Sequence, residues 1–304
     1  ENSGKTWRKI DNIPDAPEQS YVNSVYLSQH DVNVIYVAFN HHKYGDFKPY
    51  IFKSSDKGNS WVSISSNLPI RGSVYSIEED HVDSNLIFCG TEFGVFFSPD
   101  SGGNWKELAN GLPTIAVRDI AIQRRENDLV LGTFGRGFYV LDDYSVLRSI
   151  ENSDKDPAAQ IFDVRDALMW EKANPLGLPG KAFQGDNFYL AENLDPVAIF
   201  TYNFDEKFES LKSKRQKAEK KLIKESKDVS YPTYNELYDE MNEAKPELVF
   251  TIRDNKENVV KKIYRNLSKG LSRFHWDLRY EDNSPINLSS ASFYNPFAGV
   301  TEGT

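Results

Sequence analysis

The chain has 304 residues, a formal net charge of −9, 39% hydrophobic residues and 13% aromatic residues. An acidic balance of this size excludes nucleic acid as the main partner, because neutralising phosphates requires a basic face, and it disfavours an anionic membrane surface for the same reason. No apolar run approaches the ~18 residues of a spanning helix. The single cysteine, Cys89, allows no internal disulfide and reads as a buried thiol in the strand-like run Leu86 to Gly90.

From the N-terminal end, one short phrase occurs three times: Asn-Ser-Gly-Lys-Thr-Trp at Asn2 to Trp7, Ser-Ser-Asp-Lys-Gly-Asn-Ser-Trp at Ser54 to Trp61, and Ser-Pro-Asp-Ser-Gly-Gly-Asn-Trp at Ser98 to Trp105. The last two share a Ser-x-Asp-x-Gly-x-x-Trp frame, and the first keeps its second half. Residue 1 falls inside a repeat, so any leader is expected upstream. Each phrase predicts a hairpin turn. Asp56 and Asp100 accept from turn amides, Gly58 and Gly102 take a positive φ, and Trp61 and Trp105 pack back over the turn. All six are read as structural residues.

After each Trp the same order follows: a short strand, a Pro-marked loop, an alternating strand, an Asp/Asn turn and an apolar strand. The alternating strands are Val22 to Tyr26, Val74 to Ile77 and Val117 to Ile122, and the apolar ones follow Asp31, Asp83 and Asn127. With 54 positions between Trp7 and Trp61 and 44 between Trp61 and Trp105, the period is that of a propeller blade. A last strand pair without the phrase covers Leu129 to Asp143 and leads to Tyr144 to Arg148.

Residues 151–157, rich in Asp and Ser, are predicted to be a linker. Beyond Ala158, strands are predicted at Gln160 to Arg165, Asp186 to Leu190, Val197 to Tyr202, Glu247 to Arg253, Asn258 to Tyr264 and Gly270 to Arg279, with a turn-rich stretch at Asn174 to Gly180 and mostly loop from Asn283. Between them, 205–245 is helical in character. Its first helix has a narrow apolar stripe of Phe208, Leu211, Ala218 and Leu222 on a Lys/Glu-rich surface. Its second opens on the capping box Thr233 to Glu236 and stops before Pro246. Nine basic against five acidic residues between Glu206 and Asp228 suit a solvated face or a docking surface for an acidic partner. The expected fold is therefore all-β: a partial β-propeller of about three blades over 1–150, a linker, and an incomplete β-sandwich over 158–304 carrying a helical hairpin at 205–245.

The repeated phrase resembles that of the Asp-box, or bacterial neuraminidase repeat, propellers, in the form found in sortilin-type domains and in large secreted bacterial proteins labelled glycosyl hydrolase. The family pattern Ser/Thr-x-Asp-x-Gly-x-Thr-Trp is met by Ser54 to Trp61 with Ser60 in the Thr place. The other copies depart from it, with Asn104 in that place and Asn2 where the Asp stands. Gly132-Thr-Phe-Gly-Arg-Gly-Phe138 followed by Val140-Leu-Asp-Asp143 is similar to the closing blade of the bacterial subgroup, although relatives often have His where Phe134 stands. Arg273-Phe-His-Trp-Asp-Leu-Arg279 is similar to a strand of the sandwich that follows. The resemblance implies an extracytoplasmic protein, secreted or associated with a bacterial outer membrane or cell surface. Because propellers close with about four to eight blades, it also implies the remaining N-terminal blades of the same protein as a partner.

Asp-box propellers include glycosidases, whose chemistry requires two carboxylates flanking the sugar bond. Asp119 in an alternating strand and Asp142 and Asp143 at the closing strand are the catalytic candidates. Arg118, Arg124, Arg125 and Arg136 show no spacing of an arginine triad. The binding candidates are Arg136, set between two glycines, and Tyr44, Phe47 and Tyr50 in the long aromatic loop Asn40 to Pro49. His41-His42 lacks metal-ligand spacing, and neither a metal nor a cofactor is expected. The favoured function is non-catalytic binding or scaffolding of a protein, peptide or glycan within a larger cell-envelope assembly. The alternative is a polysaccharide-directed glycoside hydrolase with paired carboxylates.

Overall fold

A computed structural model describes residues 4–10, 13–109, 111–150, 159–170, 195–205 and 208–281. The predicted linker 151–157, the turn-rich stretch 174–180, the strand 186–190 and the loop from 283 lie outside the described residues. The chain forms two units, Glu1–Asp156 and Pro157–Thr304.

The first unit contains three antiparallel meander sheets in succession. The first sheet is β1 (Tyr21–Leu27), β2 (Ile35–His41), β3 (Asp46–Ser54) and β4 (Val62–Ser63), and the second is β5 (Val74–Glu79), β6 (Ile87–Thr91), β7 (Gly94–Ser98) and β8 (Lys106–Glu107). The third is β9 (Val117–Gln123), β10 (Asp128–Thr133) and β11 (Phe138–Leu141). The sheets stack through their first strands: β5 lies against β1 and β2, and β9 lies against β5 and β6. This is blade-on-blade stacking, and the unit is propeller-like.

Strands β6 and β7 are buried at every residue. Covered on both faces, they read as continuous apolar runs instead of alternating ones. Tyr36, Ile51 and Ile64 of the first sheet meet Ile77, Ile87, Cys89 and Phe96 of the second in one core, and burial pushes the Cys89 thiol up.

The two full copies of the phrase fold identically. Ser54 Oγ donates to Asp56 Oδ1 (2.8 Å) and accepts from Gly58 N (2.8 Å), while Asp56 Oδ1 accepts from Ser60 N (2.8 Å). Ser98 Oγ donates to Asp100 Oδ1 (2.6 Å) and accepts from Gly102 N (2.8 Å), while Asp100 Oδ1 accepts from Asn104 N (2.8 Å). The Ser60 amide and hydroxyl, with Ser54, hold the Asp56 carboxyl down to about 2. Each turn also serves as a socket for the preceding segment. A Cβ at Gly58 would come within 2.7 Å of Ile10 Cδ1, and one at Gly102 within 2.7 Å of Ile64 Cβ. Ile10 and Ile64 each stand three residues after a phrase tryptophan, so the segment after one Trp plugs the next turn. Trp105 Nε1 donates to Ile64 O (2.8 Å), and the Asn67 amide bonds both Trp105 N and O.

The first copy differs from the expectation of a turn with a Trp strand. Trp7 is 90% exposed and no strand includes it. Its neighbours act on the next copy instead, with Arg8 bonding Asn59 and the Lys57 carbonyl. Asp100→Ala removes three hydrogen bonds from one turn and should cost about 1–2 kcal/mol, measurable by urea unfolding.

In the second unit, β12 (Ala159–Ile161), β13 (Ala198–Phe204) and β16 (Gly270–Trp276) form one sheet, and β14 (Glu247–Arg253) and β15 (Val259–Asn266) form another. The sheets face each other across Phe200, Tyr202, Phe250, Ile263 and Phe274, as in a sandwich. The alternating exposure of β14 is that of a strand with one solvated face. Helices α1 (Leu211–Lys224) and α2 (Tyr234–Asn242) lie between β13 and β14 in sequence. They run antiparallel, since Glu243 beyond the end of α2 accepts from Leu211 N (2.9 Å) and Arg215 pairs with Glu240. The capping box is formed, with Glu236 N donating to Thr233 Oγ1 (3.3 Å) and Thr233 N to Glu236 Oε2 (2.7 Å). Neither helix buries a residue. The expected apolar stripe is thus at most half-buried, at Leu222, and the Arg215–Glu240 ion pair ties the two helices together.

Candidate functional site

A meander fixes which turns share an end. In the first unit the turns from first to second strand lie beside the Ser-x-Asp turns, as Lys57 N to Asn33 O (2.9 Å) and Ser101 N to Asn85 O (2.8 Å) record. The turns from second to third strand, together with the starts of β1, β5 and β9, form the opposite end.

At that opposite end all three first strands carry a β-bulge at the same place. Pairing skips Asn23 between Val22↔Phe39 and Ser24↔Ala38, Tyr75 between Val74↔Thr91 and Ser76↔Gly90, and Arg118 between Val117↔Thr133 and Asp119↔Gly132. A bulge re-aims a side chain that regular pleating would point elsewhere. The three re-aimed residues form a row. Asn23 Nδ2 donates to Val74 O (2.5 Å), next to Tyr75, and the Arg118 guanidinium lies 3.7 Å from the Tyr75 ring centroid and 5.3 Å from that of Phe134. Tyr75 donates its hydroxyl to Glu92, and burial with that bond pushes the phenol up to about 12. The turns are tied to the strands they flank by Glu92 N to Ser73 O (3.0 Å) and Phe134 N to Ala116 O (2.9 Å).

Arg136 stands at this end, exposed between Gly135 and Gly137, both at positive φ. So does Tyr44, in the 3-10 turn His42–Tyr44, where its ring stacks on His41 at 4.4 Å and its hydroxyl donates to Gln19. The stretch Asn40 to Pro49 is mostly strand: only residues 42–45 turn, and Phe47 and Tyr50 belong to β3. Phe47 is exposed and its carbonyl receives Gly72 N (2.8 Å). Tyr50 packs with Phe39 and Phe52 and donates to Asp46 Oδ2 (2.6 Å). The structure therefore places Tyr44, Phe47 and Arg136 at one end as exposed groups, while Tyr50 is half-buried.

A second polar cluster lies where the first strands converge. Arg124, just past β9, donates to Gln29 Oε1 (2.6 Å), Gln29 to Tyr26 Oη (2.7 Å), and Tyr26 to Glu78 Oε1 (3.5 Å). This chain of bonds crosses all three sheets. Burial raises the Glu78 carboxyl to about 7, with the Asp119 charge adding to the shift. Asp119 is itself exposed and accepts from Ile120 N (3.0 Å). Asp142 is exposed at the end of β11. Asp143, at φ +43°, caps the 3-10 helix Tyr144–Ser149 through Ser145 N and Oγ. Asp143 N also donates to the Asp128 carboxylate (3.0 Å), so the acidic neighbours of Asp143 belong to a turn and those of Asp119 to the half-buried Glu78. Among the described residues no three His, Cys, Asp or Glu side chains gather as metal ligands, and no helix is long and apolar enough to cross a membrane.

Sequence reasoning missed the bulge row and Glu78. The signal for the first is Val22-Asn-Ser, Val74-Tyr-Ser and Val117-Arg-Asp, three aligned triplets that open on Val and vary most in the middle residue.

No known protein family matches the chain by sequence, and no curated protein does. Three solved structures share part of its fold. One is YCF48 bound to D1 peptide, at 19% identity and a TM-score of 0.35, covering 46% of this chain and 41% of that one. The second is the GH74 xyloglucanase from Xanthomonas campestris, at 12% and 0.33, covering 59% and 26%. The third is an ancestral GH74 enzyme, at 14% and 0.35, covering 82% and 28%. The chain thus spans less than half the length of each.

Proposed function

We propose that the protein is an extracytoplasmic, non-catalytic binding module of the Asp-box propeller class, and that its contact surface is the end of the first unit opposite the Ser-x-Asp turns. The bulge row carries this reading. Three first strands each turn a long polar side chain to the same end, where exposed Tyr44, Phe47, Phe93, Phe134 and Arg136 add aromatic and cationic surface. The Ser-x-Asp turns spend their polar groups on internal bonds; at the opposite end Asn23 and Tyr75 are bonded internally too, while the exposed guanidinium groups of Arg118 and Arg136 face outward. Exposed apolar residues of β1 (Val25, Leu27) and β11 (Phe138, Val140) suit packing against further blades.

One observation favours hydrolysis. Burial raises the Glu78 carboxyl to about 7 and the Asp119 charge adds to the shift, and a raised carboxyl acted on by an ionised one is the pairing an acid and base would need. A single panel separates the readings. The full chain is offered soluble glycans and peptides, and both retention and release of reducing ends are measured. Binding without turnover is expected, weakened about tenfold by Tyr44→Ala or Arg136→Ala and unaffected by Glu78→Gln. Release of reducing ends that Glu78→Gln abolishes would establish the hydrolase instead.

A further inference from the structure

The most unusual charged group on the binding end is Arg118. It is exposed, it sits at a bulge, and it forms no ion pair among the described residues. Its guanidinium carbon nonetheless rests 3.7 Å from the Tyr75 ring centroid, with the Phe134 centroid 5.3 Å away. Tyr75 cannot swing away, because its hydroxyl is bonded to Glu92, whose own backbone amide is bonded to Ser73. The guanidinium is exposed and pairs with no carboxylate among the described residues, so it retains N–H donors beyond its contact with Tyr75, and these match the two oxygens of a carboxylate. Holding it before the ligand arrives reduces the ordering cost of binding.

From this geometry we infer that Arg118 is the carboxylate-recognising residue of a site for a uronate-bearing polysaccharide on the end of the first unit opposite the Ser-x-Asp turns. The inference rests on the reading of that end as the binding surface. Phe134 (69% exposed) offers a ring face near the guanidinium, and Phe93 (50% exposed) adds another in the turn of the neighbouring sheet; such faces suit the C–H faces of pyranose rings. Glu92, which accepts from Tyr75 through one carboxylate oxygen, supplies a second oxygen as an acceptor for sugar hydroxyls. A peptide bound by strand addition fits less well. At this end each first strand is one edge of its sheet, and the bulges at Asn23, Tyr75 and Arg118 interrupt that edge where a peptide strand would begin to pair.

The test is isothermal titration of the full chain with galacturonate oligomers, with the same oligomers fully methyl-esterified, and with a glutamate-rich peptide. The acid oligomers are expected to bind, and esterification to weaken them at least tenfold. Arg118→Ala should weaken binding by about ten- to a hundredfold at unchanged melting temperature. Arg118→Lys should recover only part of the loss, because a point charge cannot reproduce the bidentate edge. Equal binding of acid and ester, preference for the peptide, no binding of the acid oligomer, or full affinity in Arg118→Ala would each overturn the inference. In that event Phe134→Ala and Arg136→Ala, titrated with whichever ligand the broader panel identifies, decide the underlying reading. Their weakening of that ligand keeps the end as the binding surface, and full affinity in both removes it.

Discussion

Asp80→Ala is expected to destabilise the first unit by about 3–5 kcal/mol, the cost of stranding a buried charge. The Asp80 side chain is fully buried and accepts from Arg148 Nε and Nη2 (both 2.8 Å), Tyr144 Oη (2.5 Å), Asp83 N (2.7 Å) and Val82 N (3.0 Å). Arg148 also bonds Asn127, and Tyr144 packs edge-on against Phe88. The network fastens the 3-10 helix that follows the third sheet onto the second sheet. Removal of the carboxylate leaves a part-buried guanidinium, a buried phenol and two turn amides without their acceptor. Asp80→Leu combined with Arg148→Met should recover much of the loss in urea unfolding, since replacing both members strands neither charge.

The same site makes stability depend on acid. Burial works to raise the Asp80 carboxyl, but Arg148, Tyr144 and the Asp83 amide outweigh it and hold the group at about 2. The unfolded chain titrates near the ordinary value of about 3.9. The folded state is therefore favoured by this group at every pH above that value, by about 2 kcal/mol, and the contribution fades as pH falls from about 4 to 2. Melting temperature measured across that window should fall less steeply in the double variant than in the native chain.

How much was legible in the sequence depends on the range of the interaction. The Ser-x-Asp turns were readable because donors and acceptors lie within six residues: Ser54, Asp56, Gly58 and Ser60 satisfy one another locally. The capping box of α2 was readable for the same reason. Asp80 and Arg148 were not, because 68 positions separate them and each alone looks like an ordinary surface charge. Glu78 was hidden likewise, since its burial comes from neighbouring sheets and not from its own strand. Arg118 was noticed only as a possible member of an arginine triad. Its real setting depends on a bulge, and a bulge shows in sequence only when the three first strands are aligned. Asn40 to Pro49 was read as a long aromatic loop from composition, yet Asn40–His41 and Asp46–Pro49 continue the ladder of β2 and β3.

Gly90→Ala should be strongly damaging, whereas Gly132→Ala should be tolerated. Both glycines precede a threonine in the second strand of their sheets, and neither needs a positive φ. They differ in what stands in front of them. A Cβ at Gly90 would come within 2.6 Å of the Val117 carbonyl oxygen and 2.5 Å of Ser76 Oγ, while one at Gly132 would come no closer than 3.4 Å, to Asp119 Cβ. The serine can rotate, but the carbonyl belongs to β9, so relief requires the third sheet to move away from the second. Overpacking of this kind costs about 1–3 kcal/mol. At Gly132 the same methyl should be neutral or slightly stabilising, because glycine in a strand is entropically costly. Urea unfolding of the two variants measures the contrast. Val117 immediately precedes Arg118, so displacement of β9 would also lift the guanidinium off Tyr75. Gly90→Ala should accordingly weaken ligand binding under conditions where the protein remains folded, whereas a similar destabilisation introduced at Asp100 should leave affinity intact.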